Sequence, residues 1–152
     1  MAPSKAVRGA VVIIDLDRFK EIVEEKGWSE YTPNPVTSEL TALIKNLISK
    51  HFGVVIYGLD EERGTEEAVL EFPSADEEDL LKDLEEIRKR IEEVGLQTRS
   101  GATVSIGVVF GAIGVSKPAK RRDAYRATPL RLLALRALQK AKRMGGNRVV
   151  VL

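Results

Sequence analysis

Residues 10–14 read Ala-Val-Val-Ile-Ile, an apolar and mostly β-branched run that stops abruptly at Asp15-Leu16-Asp17. A strand with one wet face alternates apolar and polar residues, whereas an unbroken run needs cover on both faces. The run therefore predicts a central strand between helical layers, with acids at its exit. A chain of 152 residues, 43% of them hydrophobic, is long enough to build that core as one domain over residues 1–152. The same run is too short for the apolar part of a secretory signal or for a membrane span, although Lys5 and Arg8 precede it. A cytoplasmic protein with no membrane partner is the expectation.

Helices and further strands follow in a readable order. Arg18–Lys26 reads as a helix closed by Gly27. Thr32-Pro33-Asn34-Pro35 breaks the chain, with Asn34 as N-cap and Pro35 at the first helical position. Leu40, Leu43, Ile44, Leu47, Ile48 and Phe52 then recur at helical spacing, which predicts an amphipathic helix over Pro35–His51. Gly53–Gly58 and Ala68–Phe72 read as a hairpin joined by the acidic stretch Leu59–Glu67. Ser74-Ala75-Asp76-Glu77 has capping-box spacing. The helix it opens keeps Leu80, Leu84, Ile87, Ile91 and Val94 on one face until Gly95. Thr103–Phe110 is a fourth strand, Gly114–Ala127 a polar linker, and Thr128-Pro129 starts a last helix that Gly145-Gly146 stops. Val149–Leu152 closes as an edge strand. The order β-α-α-β-β-α-β-α-β predicts an α+β fold: a ferredoxin-like core with additions, whose mixed sheet carries packed helices.

The chemistry concentrates at the exit of the first strand. A carboxylate at the end of a buried strand loses hydration unless a cation or donor meets it, which makes Asp15 the most informative residue. Asp17 points the same way if the strand continues. The hairpin acids Asp60 and Glu61 belong to the neighbouring part of the sheet. Carboxylates converging there suit a hard cation such as Mg²⁺ or Mn²⁺, held by a few oxygens plus substrate phosphates. Two such ions activate an attacking oxygen and stabilise leaving pyrophosphate. The competing reading makes Asp15 a helix cap and leaves the hairpin acids solvated.

Four motifs in order resemble the GGDEF domain family, the palm-type nucleotidyl cyclases that make cyclic dinucleotides. Asp15-Leu16-Asp17-Arg18-Phe19-Lys20 matches that family's Asp-x-Asp-x-Phe-Lys, and Tyr57-Gly58-Leu59-Asp60-Glu61-Glu62 is similar to its Tyr-Gly-Gly-Asp-Glu-Phe. Ser105-Ile106-Gly107-Val108 matches its fourth strand. Ala137-Leu138, Ala141-Lys142 and Gly145-Gly146-Asn147-Arg148-Val149 match its last helix and strand. The resemblance implies Asp15, the Leu16 carbonyl and Asp60 with Glu61 as metal ligands. It implies Asp15, Asp60 and Lys142 as catalytic residues, with Lys142 on the triphosphate. Asp17 and Phe19 support the substrate. Gly64-Thr65-Glu66-Glu67-Ala68 offers a second register for the hairpin motif, whose distance to Pro73 suits the family. The first register is preferred because Val54–Tyr57 supplies its preceding strand, and Glu66 is the fallback ligand.

The chain departs from the pattern at Leu59, where the family has a second Gly, and at Gly146, where it has a phosphate-holding Arg. The guanine-reading Asn and Asp and the Arg-x-x-Asp inhibitory motif have no counterparts. Thr32-Pro33-Asn34-Pro35 and the following helix resemble the archaeal GTP cyclohydrolase III family, built from two such domains. That likeness places Thr32 and Asn34 at a base or ribose pocket. Minimal CRISPR-type polymerase domains share the same palm.

Other chemistries are excluded or weaker. The chain has no Cys, so disulfides, zinc-thiolate sites and Cys nucleophiles are ruled out. Lys+Arg 24 against Asp+Glu 23 leaves a net charge of +1, which argues against a basic nucleic-acid coat. Lys117–Arg126 reads as a solvated basic loop, and no P-loop or Gly-x-Ser-x-Gly elbow is present. The absence of Cys and the abundance of Glu, Lys and Arg hint at a thermophile. The reading is a Mg²⁺-dependent enzyme on GTP or ATP, a nucleotidyl cyclase working as a homodimer. The alternatives are GTP cyclohydrolase III-like ring opening and a degenerate, non-catalytic palm.

Overall fold

Residues 10–14 are fully buried in the middle strand of a five-stranded sheet. The computed structural model describes residues 8–152, so Lys5 lies outside the described residues. The strands are β1 (Arg8–Leu16), β2 (Val54–Tyr57), β3 (Glu67–Ala75), β4 (Val104–Gly111) and β5 (Arg148–Val151). The helices are α1 (Phe19–Lys26), α2 (Pro35–His51), α3 (Glu77–Gln97), α4 (Arg121–Arg126) and α5 (Pro129–Arg143). Strand order is β2-β3-β1-β4-β5, and only β4–β5 is parallel. This is the mixed α+β sheet the sequence predicts, with β5 at an edge.

The alternation along β1 builds two cores. Ala10, Val12, Ile14 and Leu16 pack with α1, α2 and α3 on one face. Val11 and Ile13 pack with α4 and α5 on the other. Close approach of α5 to β4 depends on Gly107, where a Cβ would stand 2.4 Å from the Ala134 carbonyl oxygen. The α5 face also buries an ion pair. The Arg131 guanidinium donates to Glu71 Oε2 at 2.8 Å, and Ser116 Oγ donates to Glu71 Oε1 at 2.8 Å.

Local signals hold where side chains serve the turn. Asn34 Oδ1 accepts from the N–H groups of Val36 and Thr37, both at 3.0 Å, and Thr37 completes the box. Gly27 ends α1 in the left-handed region at φ 68°.

Four expectations are corrected. The cap of α3 is Asp76, not Ser74, because Ala75 is still paired with Arg8 in the sheet. Gly95 does not stop α3, which runs on to Gln97. It is buried so that the helix can touch the next segment, and a Cβ there would lie 2.3 Å from the Ala102 carbonyl oxygen. Phe52 leaves the apolar face of α2, turning left-handed at φ 55° with 83% of its surface exposed. The linker over 114–127 contains α4, whose Ala124 and Tyr125 bury against the α5-side core. No helix among the described residues is long and apolar enough to cross a membrane.

Candidate active site

Asp15 is the last inward residue of β1, paired with Glu67 of β3 on one side and Ser105 of β4 on the other. Its side chain follows Val11 and Ile13 to the α5 face. The last turn of α5 carries Lys142 over this exit. Lys142 Nζ donates to Asp17 Oδ1 at 2.8 Å, to the Leu16 carbonyl at 3.2 Å, and to Asp15 Oδ1 and the Asp15 carbonyl at 3.3 Å. Burial is the main influence on Asp15. It raises the pKa to about 6, against the pull of Lys142 and with help from Glu67 and Asp17.

Asp17 sits in a different environment. Burial alone would push its carboxyl up, but donors from Lys142, Ser105, Thr103 and the Asn147 backbone outweigh it and hold the pKa low. Thr103 Oγ1 and Ser105 Oγ donate at 2.7 Å, and the Asn147 N–H at 2.8 Å. Asp17 therefore ties β1, β4, α5 and the turn before β5 together, and it holds Lys142 in place. Two carboxylates two residues apart thus take different work: Asp15 is poised to change charge and Asp17 is fixed.

The hairpin brings Glu66 and Glu67, the residues of the second register, to this exit. The Leu16 N–H donates to the Glu66 carbonyl at 3.0 Å, and Glu67 is the cross-strand partner of Asp15. Asp60 and Glu61 are not brought to Asp15. Residues 58–66 fold back over α2, where the buried Thr65 hydroxyl meets Thr41 Oγ1 at 2.7 Å. Asp60 Oδ1 caps its own turn, accepting from Glu62 and Arg63 N–H at 2.9 and 2.8 Å. Glu61 pairs with Lys45 of α2 at 2.5 Å. The two acids of the first register lie in this loop because β2 ends at Tyr57 and β3 begins only at Glu67.

Glu67 is clamped from α4, which sequence reasoning left as a linker. Arg121 Nε donates to Glu67 Oε1 at 2.6 Å and Nη2 to Oε2 at 3.2 Å. The same guanidinium lies 5.0 Å from the centre of the Tyr125 ring. Burial, then the Glu67 and Asp15 carboxylates, push the Tyr125 phenol up.

No family model matches the chain. The diguanylate cyclase DosC of Escherichia coli K12 is 29% identical over 140 residues, 92% of this chain. The chain spans 27% of that relative's length, about a quarter. The GGDEF domain of DgcB from Caulobacter crescentus, solved in complex with c-di-GMP, superposes with a TM-score of 0.64. The two are 21% identical, and the match covers 95% of this chain and 78% of that one. This chain has the GGDEF-like palm fold. A Csm1-Csm4 cassette in complex with cA4 reaches a TM-score of 0.50 at 20% identity, over 95% of this chain and 21% of that one.

The remaining residues of the palm divide. Phe19 opens α1 and lines a cavity of about 320 Å³ with Val23, Tyr31, Arg63 and Glu66. Burial, with Glu67 and Glu30 nearby, pushes the Glu66 carboxyl up. Thr32 is exposed outside that lining, and the Asn34 side-chain oxygen is taken by its cap. Among the described residues no three His, Cys, Asp or Glu side chains converge as a metal cluster. The Asp15 carboxylate and the Leu16 carbonyl nonetheless form an oxygen cradle already holding one cation, the Lys142 ammonium. Such a set fits a hard ion completed by substrate phosphates.

Gly146 explains one departure of this palm. It adopts φ +73°, and a Cβ would stand 2.8 Å from the Asp17 carboxylate. A side chain there would displace Asp17 from its donors. Gly146→Ala is expected to cost about 1–3 kcal/mol, read as a lower Tm in thermal denaturation. An unchanged Tm would show that the turn relaxes without moving Asp17.

Proposed function

We propose that this palm is a Mg²⁺-dependent nucleotidyl cyclase acting on purine nucleoside triphosphates. The observation that carries the reading is the Asp15 carboxylate facing Glu67 across the strands, with Lys142 held over the adjoining carbonyls. A divalent cation bound at Asp15 and the Leu16 carbonyl would supply Lewis-acid stabilisation of charge on the phosphates. The residues of the chain do the rest. Asp15, charged above its pKa of about 6, would hold that cation at the strand exit, where it can meet the phosphates of the nucleotide. Lys142, positioned by Asp17, neutralises phosphate charge as it develops. The cavity beside Phe19 offers a place for the base.

In the transfer, a ribose 3′-oxygen bonds to the α-phosphorus and the bond from that phosphorus to the bridging oxygen breaks. Pyrophosphate leaves with the electron pair, and the hydroxyl proton passes to solvent. Closing a cyclic dinucleotide requires two nucleotides facing each other, so the reading includes a homodimer contributing one site per subunit. The named diguanylate cyclase relative supports GTP, and the Csm1-Csm4 neighbour holding cA4 keeps ATP in the comparison.

The test is incubation of the purified protein with Mg²⁺ and either GTP or ATP, resolved by mass spectrometry. A cyclic dinucleotide with pyrophosphate is the expected product, and the productive tube identifies the base. A ring-opened formamidopyrimidine would assign the chain to GTP cyclohydrolase III-like chemistry instead. Unchanged substrate in both tubes would favour a nucleotide-binding palm without catalysis.

A further inference from the structure

A second cavity, about 500 Å³, opens on the α5 side of β1. Asp15 stands at one end. Arg121, Arg122, Tyr125 and Arg126 of α4 line it, against two leucines of α5. Three features make it more than a basic surface. Arg121 is committed to Glu67, whereas Arg122 and Arg126 have no ion pair or hydrogen bond among the described residues. Tyr125 is 6% exposed, and its hydroxyl lies beside the Glu67 carboxylate without forming a well-aligned hydrogen bond to it. A buried hydroxyl with a poorly aligned acceptor gains from a better-placed one, and an anion in the cavity can supply it. The cavity also starts at the carboxylate where the proposed reaction begins.

We infer that the α4 cavity is a polyphosphate site, in which Arg122, Arg126 and the Tyr125 hydroxyl hold pyrophosphate as it leaves the α-phosphorus. The chemistry follows from the donors. Arginine forks match phosphate oxygens with paired N–H groups, and a phenol O–H donates to an anionic oxygen. Asp15 would repel a bare phosphate, so the anion must arrive with a counter-cation or lie at the arginine end. This supplies phosphate-binding charge from α4 in a palm whose Gly146 has no side chain to offer. The inference rests on the cyclase reading for its place in the reaction, but the site can be tested apart from it.

The experiment is isothermal titration of the full chain with Mg²⁺-pyrophosphate and with tripolyphosphate. Wild type, the Arg122→Ala/Arg126→Ala double variant and Tyr125→Phe are compared, alongside KM for GTP and ATP. Both arginines are exposed, so the double variant keeps the core intact. Binding by wild type, at least tenfold weaker in the double variant and about threefold weaker in Tyr125→Phe with Tm unchanged or raised, is the expected result. No binding by wild type at millimolar ligand, or equal affinity in the double variant, overturns the inference. If wild type binds pyrophosphate through these residues yet leaves both nucleotides unchanged, the cyclase reading fails and the site stands. Turnover with KM and pyrophosphate inhibition unaffected by the double variant does the reverse.

Discussion

Asp15→Asn is expected to stabilise the free protein while removing its activity. The folded state holds the Asp15 proton more tightly than an unfolded chain does, with a pKa of about 6 against 3.8. A shift of roughly two units corresponds to about 3 kcal/mol. The side chain is 30% exposed, so solvent screening reduces this to about 1–2 kcal/mol. The cost is absent at pH values below the unfolded pKa and grows as pH rises through about 6, where the buried group ionises. The variant should therefore match wild type near pH 3.5 and melt about 2–8 °C higher at pH 8. Turnover should fall by about 10²–10³-fold, because the amide cannot replace the anion in holding a cation and substrate phosphates. Thermal denaturation across pH, paired with pyrophosphate release, checks both halves. A variant that melts lower at pH 8, or that keeps its turnover, would refute this account of Asp15.

Arg131→Met should produce the largest loss of stability. Arg131 and Glu71 are buried on the α5 face, with side chains 8% and 4% exposed. Removing the cation leaves Glu71 charged in the core with Ser116 as its remaining hydrogen-bond donor among the described residues. Stranding one member of such a pair costs about 3–5 kcal/mol. In a chain of this size that lowers Tm by about 6–20 °C. Arg131→Met combined with Glu71→Leu should recover most of the loss, since an apolar pair of similar volume removes the uncompensated charge. Failure of the double variant to recover would mean that Arg131 acts through its packing and its hydrogen bond to the Asp123 carbonyl.

Much of the fold was legible because its signals are local. The apolar run of β1 and the Asn34-Pro35 start of α2 each follow from residue type and spacing. The strand-exit cluster was also legible in part. Asp15, Leu16, Asp17 and Lys142 do meet; Asp15 stood out as a carboxylate at a buried strand end, while Lys142 was implied only by the family resemblance.

What failed depended on partners distant in the chain. The hairpin motif could be read in two registers. Thr41, Thr37 and Lys45 of α2 decide between them by holding residues 58–66 away from Asp15. The α4 helix is six residues of mostly polar character, and only its packing against α5 and Glu67 makes it a helix and part of the site. The Arg131–Glu71 pair was invisible for the same reason: 60 residues separate its members.

The most direct measurement compares Mg²⁺-dependent pyrophosphate release from GTP and ATP by wild type, Asp15→Asn and Asp60→Asn. Asn keeps the acceptor that caps the 60–63 turn, so Asp60→Asn leaves the loop folded. The account predicts release by wild type, near-wild-type release by Asp60→Asn and almost none by Asp15→Asn. Release that survives Asp15→Asn, or that disappears in a folded Asp60→Asn variant, would place the chemistry away from the exit of β1.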